Sequence, residues 1–172
     1  MRVITLALCV WFAVLLSGCA AGLDGRLLLT DADREQAIKR YQEALAEEPN
    51  SWILHRRIGM VYFDLKNYTQ AADSFQKVQT LSPGEPVSLL YLGLSRIGKG
   101  EREAGLDLLT TFRWPGKFYH QKYVQEEANR LRKHPETPAK EAIRDLLDAL
   151  SAGEHEQLIL EREMEMGLRW ND

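Results

Sequence analysis

Cysteine is the scarcest functional residue in this chain: 172 residues hold two, Cys9 and Cys19. Both sit near the amino terminus, so the rest of the chain has no thiol for a disulfide, a redox pair or a zinc site. A chain without a disulfide or metal staple is held together by its core alone. An excess of one charge is also missing, with 22 Lys and Arg against 25 Asp and Glu and a net charge of -3. Basic and acidic residues alternate, as in Glu101-Arg102-Glu103 and Glu161-Arg162-Glu163. That pattern excludes a basic stripe for nucleic acid and implies no strongly charged partner.

Catalytic signatures are missing as well. There is no Gly-x-Ser-x-Gly elbow, no phosphate loop and no dinucleotide fingerprint. His155-Glu156 begins like a two-histidine zinc helix, but Ile159 stands where the second histidine is needed. His55, His120 and His134 are scattered without metal-ligand spacing. The dense Glu, Asp and Arg of the helical segments are read as solvated faces with pairs three or four residues apart. The sequence therefore leads us to expect no enzyme, no metal and no cofactor.

The one pronounced apolar run, Val3 to Leu16, follows Arg2 and is too short for a membrane-spanning helix. It ends in Leu16-Ser17-Gly18-Cys19. This arrangement resembles a bacterial lipoprotein signal peptide. The resemblance implies cleavage before Cys19 and acyl chains on its thiol and new amino group, an anchor rather than a span. Ala20 stands where an aspartate would favour retention in the inner membrane, so the implied location is the cell envelope, lipid-anchored at the outer membrane and facing the periplasm. Residues 19–172 are then an ordinary length for one domain with a core of its own. Gly22 and Gly25 discourage regular structure in a tether over Ala20 to Leu29.

Beyond the tether the chain nearly repeats. Gly59 returns as Gly93 after 34 residues, Ala37 as Ala71 and then Gly105, Tyr41 as Phe75 and then Leu109, and Pro49 as Pro83. Small residues at Gly59, Ala71 and Ala72 let two helices approach, and Tyr62, Phe75 and Val78 fill the volume beside them. Pro83 stops the second helix. This period and residue choice resemble the tetratricopeptide repeat. The likeness is good for Trp52 to Gly84, fair for Glu85 to Trp114 and limited to the second helix for Asp31 to Asn50. Arg96 and Gly105 depart from the pattern, which puts the packing of that unit in question.

The remainder reads as a closing hairpin. Tyr119 to Lys133 carries Tyr123, Val124, Ala128 and Leu131 at helical spacing and ends at His134-Pro135. Thr137-Pro138 opens a further helix with the stripe Ile143, Leu146, Leu147 and Leu150. Gly153 is expected to break it, leaving Glu154 to Leu168 as a separate terminal helix. The expected fold class is all-α: a tetratricopeptide-like superhelix of helical hairpins, an α-solenoid, with an atypical C-terminal hairpin and a terminal helix. The expected divisions are 1–18 signal, 19–30 lipidated tether, 31–118 repeats and 119–172 closing segment.

Stacked repeats form a groove lined by the first helix of each hairpin, and such grooves receive peptides or helices. Helical phase puts Ile53, Arg56, Met60, Phe63 and Asp64 on the groove in one unit and Val87, Leu90, Leu94 and Ile97 in the next. The same residues can be covered instead by the chain's own terminal helix, and the sequence leaves both open. Trp114 and Phe118, beside the Pro115-Gly116 turn, are a second candidate contact; the alternative is that they seal the junction between hairpins. The function this implies is a non-catalytic, lipid-anchored envelope scaffold that holds a protein partner in assembling a pilus, secretion or outer-membrane complex. Escort of a secretin, regulation of a cell-wall enzyme and completion of the repeats by a homodimer are the other readings.

Overall fold

The computed structural model describes residues 30–169, so Cys19, the signal segment and most of the tether lie outside the described residues. Among those described there are seven helices: α1 (Asp31–Glu47), α2 (Trp52–Asp64), α3 (Tyr68–Leu81), α4 (Pro86–Gly98), α5 (Arg102–Thr110), α6 (Phe118–Lys133) and α7 (Ala139–Arg169). The chain divides into two units at Arg34. In the first, Thr30 and Asp33 form a reciprocal helix cap: the Thr30 amide donates to Asp33 Oδ2 at 2.9 Å and the Asp33 amide to Thr30 Oγ1 at 3.2 Å. These Thr30 hydrogen bonds hold the Asp33 carboxyl below its ordinary range.

From Glu35 onward the second unit is a row of helical hairpins, α2 with α3, α4 with α5, and α6 with α7. The 34-residue period is visible in the backbone itself. At the end of α2 the amides of Leu65, Lys66 and Asn67 donate to the carbonyls of Val61, Phe63 and Tyr62. At the end of α4 those of Lys99, Gly100 and Glu101 donate to Ser95, Ile97 and Arg96. Every member of the second set lies 34 positions after its counterpart. The turn needs a left-handed residue, and it has Lys66 at φ 60° in one hairpin and Gly100 at φ 97° in the other.

Side chains keep the same register. The Phe75 ring lies on Gly59, where a Cβ would come within 2.8 Å of it, and Leu109 lies on Gly93 at 2.7 Å. Gly105, which put the packing of its unit in question, brings α5 against α4: its Cβ would meet the Gly93 carbonyl oxygen at 2.6 Å. The core built this way runs continuously from Ala71, Phe75 and Leu92 through Leu106, Leu109 and Phe112 to Val124, Ala128, Leu131, Ala142 and Leu146. Burial of this apolar surface is the main force holding the row together.

Two expectations are corrected. Gly153 does not break the last helix, which runs unbroken from Ala139 to Arg169. There is thus one long closing helix and no separate terminal one. Glycine is present for packing: a Cβ at residue 153 would lie 2.6 Å from the Tyr119 carbonyl oxygen. That close crossing offsets the helix propensity lost, about 1 kcal/mol relative to alanine. The helix after the Pro-Gly turn also begins one residue earlier, at Phe118.

Candidate partner groove and the aromatic junction

Glu85 sets the mouth of the groove. It caps α4 by accepting the Ser88 amide on Oε2 at 2.7 Å, with Pro86 preset for the first helical turn. Its other oxygen accepts from Arg56 Nη1 of α2 at 3.0 Å. The Arg56 guanidinium also lies 5.1 Å from the Trp52 ring centre, so Arg56 is pinned between a carboxylate and an indole. One acidic residue thereby joins the first helices of two hairpins.

The nine expected groove residues do not share one environment. Ile53 is 41% exposed and Asp64 is exposed, while Arg56, Met60 and Val87 are half-buried. Four are interior and are corrected to core positions: Phe63, Leu90, Leu94 and Ile97. Phe63 stands edge-on to Tyr68 and Tyr91, with ring centres 5.5 and 5.0 Å away. Leu90 and Leu94 are the counterparts, 34 positions on, of Arg56 and Met60. The helices that carry the two pairs differ in their neighbours: α4 packs on α3, α5 and α7, whereas α2 packs chiefly on α3 and α4. What stays accessible is the α2 side of the groove. A separate cleft of about 440 Å³ lies between Tyr68 of α3 and the Lys140, Ile143, Arg144 and Leu147 side of α7.

The aromatic junction also separates. Trp114 packs inward, edge-on to Phe112 at 5.9 Å, and its amide donates to Gln121 Oε1 at 3.1 Å. It seals the join between hairpins, while Phe118 is 62% exposed. Beneath Trp114 lies His120, 7% exposed, with ring centres 5.0 Å apart. Sequence reasoning passed over His120 as one of several scattered histidines. The available signal was its place at the head of the stripe Val124, Ala128 and Leu131.

Arg102 was read as part of a solvated charge alternation, yet it organises the last turn of the fold. Its Nη1 donates to the Thr137 carbonyl at 2.8 Å, and Nη2 to those of Leu131 and His134 at 2.9 and 3.0 Å. Among the described residues no group of three His, Cys, Asp or Glu side chains is placed to hold a metal ion. None of the described helices is long and apolar enough to cross a membrane.

Repeated hairpins with no strand among the described residues make this an all-α protein of the helical-hairpin solenoid class. Residues 24–86 match the family model of the tetratricopeptide repeat, which makes that stretch similar to a family of protein-binding scaffolds. No curated protein and no solved structure matches the chain.

Proposed function

We propose that the chain is a lipid-anchored adaptor of the bacterial envelope that holds a partner protein on the α2 side of its groove. The observation that carries this reading is Ile53, a large apolar side chain 41% exposed on a first helix, one turn from the pinned cation of Arg56. Arginine is among the residues enriched at binding hot spots, and Trp52, which Arg56 stacks on, is another. The similarity of residues 24–86 to tetratricopeptide repeats supports a role in protein binding. Arg2, the apolar run to Leu16 and Cys19 support anchoring through lipid. Ala20 after Cys19 favours the periplasmic face of the outer membrane, and a protein-binding repeat anchored there suits a partner from a pilus, secretion or outer-membrane assembly.

The test is a crosslinked pull-down of the full chain from detergent-solubilised membranes, beside Cys19→Ser and Ile53→Glu. The expected outcome is an envelope assembly component captured by the native chain and lost from Ile53→Glu with the fold intact. Cys19→Ser is expected to leave the membrane fraction. Equal capture by Ile53→Glu would remove the groove as the site, and membrane retention of Cys19→Ser would remove the anchor.

A further inference from the structure

The two arms of the last hairpin differ in length, 16 residues in α6 against 31 in α7. They run antiparallel, and their contacts mark the register. Arg130 pairs with Asp145 at 2.8 Å, Gly153 lies against the backbone of Tyr119 and His120, and Lys117, just before α6, pairs with Glu161 at 3.1 Å. From there α7 continues past the head of α6 to Arg169, for roughly two turns. Arg162, Glu163, Met164 and Glu165 are all exposed.

The face that α7 buries continues into that overhang. Leu146, Leu150, Gly153, Gln157, Leu160 and Met164 follow one another at alternating steps of four and three residues, the spacing of a seam between paired helices. Leu146, Gly153 and Gln157 are buried, Leu150 and Leu160 are half-buried, and Met164 is 60% exposed. Among the described residues, then, the seam is covered at one end and bare at the other. A further helix set in line with α6 would cover the rest.

The positions beside a seam select its partner by charge. Leu147 and Ala149 flank the seam where it enters the core, Glu154 and Glu156 flank Gly153 and Gln157, and Glu161 and Glu163 flank Leu160 and Met164. Arg162 falls on the opposite side of the helix by phase. The chain itself supplies one example of the match, since the cation that meets Glu161 comes from the α6 side, as Lys117. A second copy of α7 would set glutamate against glutamate in either orientation, which is destabilising.

We propose that the end of α7 past the head of α6 is a docking seam for a helix of a partner protein, one whose apolar stripe is flanked by Lys and Arg. The partner's stripe packs on Leu160 and Met164, and its cations meet Glu163 and the neighbouring glutamates. This surface stands on the α7 tail alone and does not depend on a partner at the α2 side of the groove.

The experiment is fluorescence anisotropy of the full chain with two labelled helical peptides of equal length, with Leu at the seam positions and either Lys or Glu at every flank. Met164→Glu, Glu163→Lys and Ile159→Gln are measured beside the native chain, with circular dichroism to check that each keeps its helices. The lysine peptide is expected to bind and the glutamate peptide is not. Met164→Glu should weaken binding at least about tenfold, although it adds a negative charge that simple charge attraction would turn into tighter binding. Glu163→Lys should weaken it about threefold. Ile159→Gln, on another side of the helix, should leave it unchanged. Equal binding of the two peptides, binding of neither, or unchanged binding by Met164→Glu would overturn the proposal. So would self-association of the native chain, or attachment to phosphatidylglycerol vesicles, that Met164→Glu abolishes, since these would give the seam to a second copy or to a lipid surface.

Discussion

Gly105 and Gly93 meet backbone to backbone, with room between them for a hydrogen and not for a methyl: a Cβ on Gly105 would stand 2.6 Å from the Gly93 carbonyl oxygen. The equivalent place in the preceding hairpin holds Ala71, which is completely buried. Gly105→Ala should destabilise the protein by about 1–3 kcal/mol through overpacking, even though alanine is the better helix former by up to about 1 kcal/mol. The midpoint of urea unfolding measures this, and an increase would show that the backbones can part without cost.

Lys66 takes the left-handed turn that Gly100 takes 34 residues later. A residue with a Cβ is disfavoured there by about 1–2 kcal/mol, while glycine adds freedom to the unfolded chain worth about 0.4–1 kcal/mol. Lys66→Gly should therefore stabilise the protein, by up to about 1 kcal/mol. Thermal unfolding at fixed pH reads the sign directly.

Arg102 binds three carbonyls of the α6–α7 turn at once. Arg102→Met keeps the length of the side chain and removes every donor. With hydrogen bonds to a charged group worth about 1.5–3 kcal/mol each and little additivity within one group, the expected loss is at least about 2 kcal/mol. Limited proteolysis should then cut first near His134 to Thr137.

Leu94 and Ile53 separate core from surface. Leu94 is completely buried, so Leu94→Glu places an unpaired carboxylate in the interior, at a cost comparable with the few kcal/mol by which domains are stable. Ile53→Glu should stay within about 0.5 kcal/mol of the native chain. Circular dichroism melts of the two variants should show a lost transition in the first and an unchanged one in the second.

The repeat was legible because close helix approach admits few residue types, and Gly59, Gly93, Ala71 and Phe75 recur at one spacing wherever it happens. What covered those helices was not legible. Arg56 and Met60 share a helical phase with Leu90 and Leu94, and what differs is how many helices pack around α2 and α4. Gly153 was misread because a glycine that ends a helix and one that admits a neighbouring backbone look alike until the neighbour, Tyr119, is placed. Arg102 was hidden by its acidic neighbours, since its partners are carbonyls, which every residue carries.

A row of hairpins has no built-in end, since each unit offers its successor the same kind of face that it received. Here α7 turns back along α4 within the same chain. The last hairpin is thereby tied to a helix earlier in the row as well as to its neighbour, a long-range contact that a purely one-dimensional stack lacks.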